Sequence, residues 1–428
     1  MTMKILAKNN ISLLPKPDSQ KTIVYLPFAR HAEVVDDEEV ARLEACLSDS
    51  VVAPESPRLK RIVEKLADNA VRLYVTPRKV DAMRSLMVLP NNKCNFSCSY
   101  CYSAKGRTNE EISPEVLKAG LAYFLNPKRA EDERLSISVL GGGEPLLSWH
   151  VLRPALEYTF AESRRRSKPC PVSLVTNGSI CTDEIIAFCF GNGISLSVSF
   201  DILPDVQNRQ RGHWEKVTAN VNRFAEAGLD VALNTVISNE NVGRMTEMIE
   251  HLHAYNPLVK KVSFKTLISK DYFHDIASRR NYYEAFTKNF FEAKKVADSY
   301  GIWLTCSYMN TCIVLTDRYC HGKFVITSEG DISVCHTVGS KCDDLYDKFV
   351  FGHIDGQTGK VDIDEDKLDG ILSHDVYHNP SCEVCAARWH CAGGCFADHF
   401  HLNKEEHDAY CESMRLFLAY YLTYKYKL

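Results

Sequence analysis

The stretch SLMVLPNNKCNFSCSYC, residues 85–101, decides how the rest of the chain is read. Its first five residues form an apolar run closed by Pro90, the pattern of a short buried strand. After the strand comes a loop carrying Cys94, Cys98 and Cys101 at C-x3-C-x2-C spacing. Three thiols this close cannot all pair as disulfides. As thiolates they can hold three irons of a [4Fe–4S] cluster and leave the fourth iron open to a ligand. Loops at the C-terminal ends of parallel strands are where α/β domains place their ligands, and this loop has that position.

Further apolar runs occur at LSISVL (135–140), VSLVT (172–176), ISLSVSF (194–200), VALNTVI (231–237) and VSFKTL (262–267). Helical stretches separate them. Ser113 before Pro114 reads as an N-cap followed by proline at the first helical position, and Ser148 and Thr182 are further N-cap candidates. Gly228 stands where a helix C-terminus needs a stop. Six strands alternating with helices predict an α/β domain with a parallel sheet over residues 85–300. Periodicity alone does not separate an open sheet from a partial barrel.

The chain has 428 residues, more than one small core accommodates, so two or three domains are expected. Residues 1–84 hold one β-rich run, KTIVYLPFARHAEVV, and two helical patterns, Asp37 to Leu47 and Pro57 to Asn69. Residues 301–428 hold short strand-like pieces among cysteines, a small region that needs staples. The net charge of −4 argues against a nucleic-acid partner. The longest uncharged stretch, Ser299 to Thr316, is too short and too rich in Ser, Thr and Asn to span a bilayer, so no membrane association is expected. The N-terminal residues lack the apolar core of a secretion signal, and a cytoplasmic location is expected. In that compartment seventeen cysteines, an odd number, point to metal rather than to disulfides.

Ten of the cysteines lie between Cys306 and Cys411. Cys320-x9-Gly330-x4-Cys335 precedes Cys382-x2-Cys385-x5-Cys391-x3-Cys395-x15-Cys411. On spacing alone, a four-thiolate zinc site and iron–sulfur clusters both remain open. Cys46, Cys170, Cys181, Cys189 and Cys342 read as small apolar residues or free thiols.

The 94–101 loop resembles the cluster motif of the radical S-adenosylmethionine (SAM) enzymes, C-x3-C-x-aromatic-C, with Tyr100 in the aromatic place. The likeness continues strand by strand. Gly142-Gly143-Glu144-Pro145 is similar to the family's GGEP segment, which binds the SAM amino group. Thr176-Asn177-Gly178 is similar to its TNG. Ser199, Asp201 and Arg211 resemble the region that contacts the SAM ribose and carboxylate, and Ile237 with Asn241 the segment near the adenine. Each piece alone is an ordinary turn or cap; all of them in order, each at the end of a successive strand, carry the resemblance. Ile202 and Leu203 depart from it, since the family often has a small residue and a glycine beside Asp201. The resemblance implies a partial (β/α)6 TIM-like barrel. It implies SAM contacts at Tyr100, Gly142, Gly143, Glu144, Pro145, Asn177, Ser199, Arg211 and Ile237, and a SAM-binding [4Fe–4S] cluster on Cys94, Cys98 and Cys101.

The later cysteines resemble the SPASM extension that follows many such barrels and holds two auxiliary [4Fe–4S] clusters. By position, the resemblance assigns Cys382, Cys385, Cys391 and Cys411 to the distal cluster. It assigns Cys320, Cys335 and Cys395 to the proximal one, with Cys312 as its fourth ligand and Cys306 as the runner-up. Within this group the implied activity is reductive SAM cleavage to a 5′-deoxyadenosyl radical, which takes hydrogen from a ribosomal precursor peptide and leads to an oxidative thioether or C–C crosslink. The partners implied are that peptide and an electron donor such as flavodoxin or ferredoxin. The 1–84 segment is similar to the leading segment of peptide-modifying members. An enzyme converting a sulfatase Cys or Ser to formylglycine is the alternative reaction, and a non-catalytic iron–sulfur electron carrier the alternative of another class. No residue stands out as a general base; Tyr308, His321, His336, Asp398 and His399 lie near cysteines, where such groups commonly serve as hydrogen-bond partners.

Overall fold

The computed structural model describes residues 4–428 apart from 7–9, 49–53, 55, 67–70, 130–133 and 268–271. The six expected strands are present, at Ser85–Val88, Ser136–Val139, Val172–Thr176, Ser195–Ser199, Val231–Ile237 and Lys261–Thr266, each parallel to the next. This is the α/β class with a parallel sheet, as the alternation predicts. Beyond it, Trp303–Cys306 adds a seventh parallel strand against the sixth. At the opposite edge Phe324–Ile326 pairs parallel with the first strand. The antiparallel strands Asp331–Ser333, Val350–Ile354 and Val361–Ile363 then extend the same sheet to 11 strands.

Side-chain alternation explains why this sheet keeps one face free. Leu86, Ile137, Val139, Leu174, Leu196, Val198, Leu233 and Phe264 are fully buried, packed with residues such as Met248 and Leu252 of the flanking helices. The intervening positions are half-buried and mostly small and polar: Ser136, Ser138, Ser173, Ser195, Ser197 and Ser199. Parallel strands covered on both faces are apolar throughout. Serine at every second place therefore marks a face left unfilled by helices, where a polar ligand can lie.

The caps follow the expected chemistry except at one place. Ser113 accepts from the Val116 amide, with Pro114 in the first turn, and Thr182 accepts from the Ile185 amide. Gly228 adopts φ +80° just past the helix Trp214–Glu226. Ser148, however, makes no side-chain cap to the helix Trp149–Arg165. Its hydroxyl instead donates to Glu111 and accepts from Asn91 Nδ2 at 2.6 Å.

The N-terminal region holds more strand than the sequence shows. Lys4–Leu6, Ile11–Pro15, Thr22–Leu26 and His31–Val35 form a four-stranded antiparallel sheet, followed by helices Asp37–Ser48 and Pro57–Leu66. The expected β run is thus a hairpin, and its first half is an interior strand. The final three residues of the expected helix, 67–69, lie outside the described residues. Ile11, Leu13, Val24 and Leu26 pack with Leu43, Leu59 and Ile62, while Leu14, Ile23, Tyr25 and Ala32 belong to the main core. Both faces of TIVYL are therefore buried, which is why it reads as a continuous apolar run.

This sheet is seated on the C-terminal region. Tyr25 bonds His390 Nε2 at 3.0 Å, and His390 Nδ1 meets the Val314 carbonyl at 2.9 Å. Burial pushes His390 down to about 4, so its ring is neutral at pH 7. A carbonyl only accepts, so Nδ1 carries the proton and Nε2 accepts from Tyr25. Arg30 donates to the Ile313 carbonyl at 2.7 Å, and Tyr426 donates to the Arg30 carbonyl at 2.6 Å. Replacing Tyr25 by Phe leaves the His390 nitrogen buried without a donor, which costs roughly 1–3 kcal/mol. We expect a correspondingly lower urea midpoint for Tyr25→Phe; a midpoint equal to that of the parent chain would place the stabilising contact elsewhere.

Candidate active site

Two glycines, Gly142 and Gly143, position the cysteine loop. The Gly143 amide donates to the Asn91 carbonyl at 3.0 Å, and the Glu144 amide to that of Lys93 at 2.8 Å. A Cβ at Gly143 would lie 1.9 Å from the Lys93 carbonyl oxygen, and one at Gly142 would lie 2.5 Å from Asn92 Oδ1. Only glycine permits the turn after the second strand to come this close to the residues that lead into Cys94. Phe96, buried within the loop, anchors it to the core and stacks on His213 with 4.8 Å between ring centres.

Glu144 joins the second strand's turn to the third. Its buried carboxylate accepts from the Leu146 amide at 3.1 Å, Thr176 Oγ1 at 2.7 Å and the Asn177 amide at 2.6 Å. Burial raises its pKa, and these three donors oppose that rise. Asn177 then donates from Nδ2 to Asn95 Oδ1 at 2.9 Å and toward Cys94 Sγ at 3.8 Å, so the TNG turn touches the first cysteine. Pro145 is buried, and Ser199 stands half-buried at the end of the fourth strand.

Across the loop, Tyr100 donates to Asp201 Oδ2 at 2.6 Å and accepts from Arg211 Nη1 at 2.9 Å. Asp201 Oδ1 accepts from the Val236 amide at 3.1 Å. Burial pushes both Tyr100 and Asp201 upward. It works against Arg211 as well, but Tyr100, Asp201 and Cys98 hold that guanidinium above its usual range. Arg211 Nε is buried without a partner among the described residues and remains an unspent donor. Ile202 is one of the two residues after Asp201 that depart from the resemblance. Its φ of +63° is unfavourable for a β-branched residue, and Trp214 Nε1 holds its carbonyl at 2.7 Å. Ile237 is fully buried in the core, its carbonyl bound by Tyr282 at 2.6 Å; its half-buried neighbour Val236 has the opposite side of the strand.

Sequence reasoning missed Arg107, whose Nη2 donates to Cys101 Sγ at 3.2 Å. No spacing rule announces an arginine in an irregular segment. Burial raises the Cys98 thiol, opposed by Arg211 and reinforced by neighbouring Cys101 and Cys94, so the three thiols share one neighbourhood.

In the C-terminal region Cys382, Cys385, Cys391 and Cys411 line one cavity of about 220 Å³. A single water needs only about 10–15 Å³ of such space. Among the described residues no three His, Cys, Asp or Glu side chains converge closely enough to share one ion. Arg280, Arg388, His407 and Arg415 line the same cavity, so the thiols share it with polar and cationic side chains. Cys320, Cys335 and Cys395 form a second neighbourhood, Cys335 lying close enough to raise both of the others. Ala392, Gly393 and Gly394 all take positive φ, at 50°, 86° and 79°, and this turn sends Cys391 to the first group and Cys395 to the second. Cys312 is fully buried beside Cys306, Lys425, Tyr25 and Tyr421. Cys306 caps its own helix by accepting from the Met309 amide at 3.4 Å. Cys170 and Cys189 are buried in the core, Cys46 and Cys181 half-buried, and Cys342 exposed. Among the described residues no helix is long and apolar enough to cross a membrane.

Residues 88–252, from the first strand through the helix after the fifth, match the model of the radical SAM superfamily. The chain carries a radical SAM domain. An uncharacterized protein of Methanocaldococcus jannaschii is 23% identical over 285 residues, covering 61% of this chain and 88% of that one. Among solved structures, native anSMEcpe with bound AdoMet superposes with a TM-score of 0.62 at 18% identity, over 78% of this chain and 96% of that one. Streptococcus suis SuiB bound to precursor peptide SuiA superposes with a TM-score of 0.51 at 14% identity, over 95% of this chain and 98% of that one. The radical SAM domain implies a [4Fe–4S] cluster with SAM. The donor set fits: three thiols share one loop, a donor from Asn177 and one from Arg107 face their sulfurs, and Arg211 keeps a buried donor unspent.

The glycine turn gives a direct test. In Gly143→Ala the new methyl must displace the Lys93 backbone, and with it Cys94. Anaerobic reconstitution should yield fewer irons per chain by about one cubane, with the C-terminal complement kept. Full iron content in this variant would mean that the loop does not depend on that contact.

Proposed function

We propose that this chain is a peptide maturase that binds a ribosomally made precursor and installs an oxidative crosslink, a thioether or a C–C bond. The observation that carries this reading is the extent of the likeness to SuiB. It covers 95% of this chain, whereas the likeness to anSMEcpe covers 78%. SuiB was solved with its precursor peptide, and a four-stranded sheet seated on the C-terminal region is a ready place for an extended peptide to add a strand. Among the described residues, His31–Val35 is the part of the β run over residues 21–35 with a free edge for such docking, because Thr22–Leu26 is paired on both sides.

In this reading residues 1–84 form the peptide-docking segment, residues 85–300 the barrel and residues 301–428 a SPASM domain. Cys94, Cys98 and Cys101 hold the SAM-binding cluster. Cys382, Cys385, Cys391 and Cys411 hold one auxiliary [4Fe–4S] cluster, a reading that their shared cavity supports. Cys320, Cys335 and Cys395 hold the other, with Cys312 the fourth ligand that the resemblance implies. Bound together, the cluster and SAM supply a 5′-deoxyadenosyl radical that abstracts hydrogen from the peptide. The chain's own part is placement: the glycine turn and Glu144 fix the cysteine loop against Asn177, while Arg211 and Tyr100 offer polar contacts to SAM. A flavodoxin or ferredoxin in the cytoplasm delivers the electron. A formylglycine-forming enzyme is the second reading, favoured by the higher TM-score of anSMEcpe.

Three measurements test this reading, and the second separates it from the alternative. Three cubanes predict about twelve irons per reconstituted chain; four irons with one or two zincs would remove the SPASM assignment. Incubated with SAM, a reductant and the short peptides encoded beside its gene, the chain should convert one of them to a product lighter by two hydrogens. Conversion of a sulfatase-derived Cys peptide to formylglycine, with no such peptide product, would establish the second reading instead. Cys94→Ala with Cys98→Ala and Cys101→Ala should abolish 5′-deoxyadenosine formation, while Cys391→Ala should retain some of it and lose product.

A further inference from the structure

Arg107 is bonded to cysteines of the barrel loop, yet the proposed reaction leaves it without a role. It lies six residues past Cys101, in an irregular segment that Gly106 fixes against the C-terminal region: a Cβ at Gly106 would lie 2.8 Å from Ser340 Cβ. From there its guanidinium reaches back to the loop. Nη2 donates to Cys101 Sγ at 3.2 Å and Nη1 to the Phe96 carbonyl at 3.2 Å. The side chain bonds Cys94 as well, and Nε is buried without a partner among the described residues. No carboxylate among the described residues is paired with it. An arginine cannot shed its charge, so the site contains a permanent, uncompensated cation in contact with two of its three thiols.

We propose that Arg107 is a positioning residue of the SAM-binding centre, which donates hydrogen bonds to the Cys94 and Cys101 sulfurs and raises the centre's reduction potential. The physical reason is charge. Reduction brings in one electron from a low-potential one-electron donor, with no bond made or broken and no proton moved in that step. The added negative charge is stabilised by a cation and by N–H donors at the sulfurs, and hydrogen bonding to sulfur is an established determinant of such potentials. Charge-assisted bonds of this kind are about twice as strong as neutral ones. The inference rests on the radical SAM domain alone and is independent of which substrate the enzyme takes.

The test uses the full chain, reconstituted anaerobically, with the centre recognised by the change its EPR signal undergoes when SAM is added. Arg107→Gln should keep its iron and its SAM response while its midpoint moves down. At a fixed solution potential the ratio of reduced to oxidised centre should fall about tenfold, which is about 59 mV for one electron. Arg107→Lys keeps the charge but not the planar fork, and its midpoint should fall between the two. An unchanged midpoint in Arg107→Gln at full iron content would overturn the proposal and leave Arg107 as a brace for the Phe96 carbonyl. Should Arg107→Gln lose iron, Arg107→Lys decides: a midpoint below that of the parent supports the role, and one equal to it overturns it.

Discussion

The contact between the Gly141–Gly143 turn and the backbone of Asn91–Lys93 is the constraint on which the site depends. Two backbone segments from different strands approach so closely that no side chain fits between them. The two amide-to-carbonyl bonds there fix where Cys94 begins. Glu144 extends the same constraint to a third strand end. One buried carboxylate accepting from Leu146, Thr176 and Asn177 is costly to bury and more costly to leave unpaired, so the three turns hold one another in place. The result is rigid at the backbone level, which a site must be if it is to place small polar contacts accurately.

The strands could be read because each is short, apolar at every second place, and bounded by a recognisable cap or breaker. The serine alternation that marks the open face was equally visible in LSISVL and ISLSVSF, yet it acquires meaning only once the opposite face is seen to be buried. The N-terminal hairpin was harder, since TIVYL buries both faces and shows no alternation. Trp303–Cys306 was harder still. A four-residue strand after a 24-residue helix gives little pattern, and Trp303 itself is exposed.

The site's cysteines, glycines and Glu144 were legible because their chemistry is tied to fixed spacing. Arg107 was not, because a long flexible side chain reaches its target from an irregular segment and its sequence position carries no period. Ile237 shows the reverse limit. Its place in the motif order is visible, but the sequence does not say that its side chain packs into the core while Val236 takes the other side of the strand. Nor does spacing say that Cys312 sits buried among Tyr25, Tyr421 and Lys425.

The C-terminal region follows a different logic from the barrel. Its helices before the last one are short, and its core is divided among turns, so periodic packing contributes less there than in the barrel. Burial pushes Cys382 up to about 11 and Cys395 and Cys411 to about 12, outweighing the opposing pull of Arg388 on Cys382 and of Arg415 on Cys411, so these thiols are neutral at pH 7. Binding a metal group must then release those protons, and its binding energy becomes folding energy for the segment around it. The N-terminal sheet meets this region directly, because Tyr25 is bonded to His390, the residue next to Cys391. That buried hydrogen bond ties the hairpin of Thr22–Leu26 and His31–Val35 to the wall of the cavity.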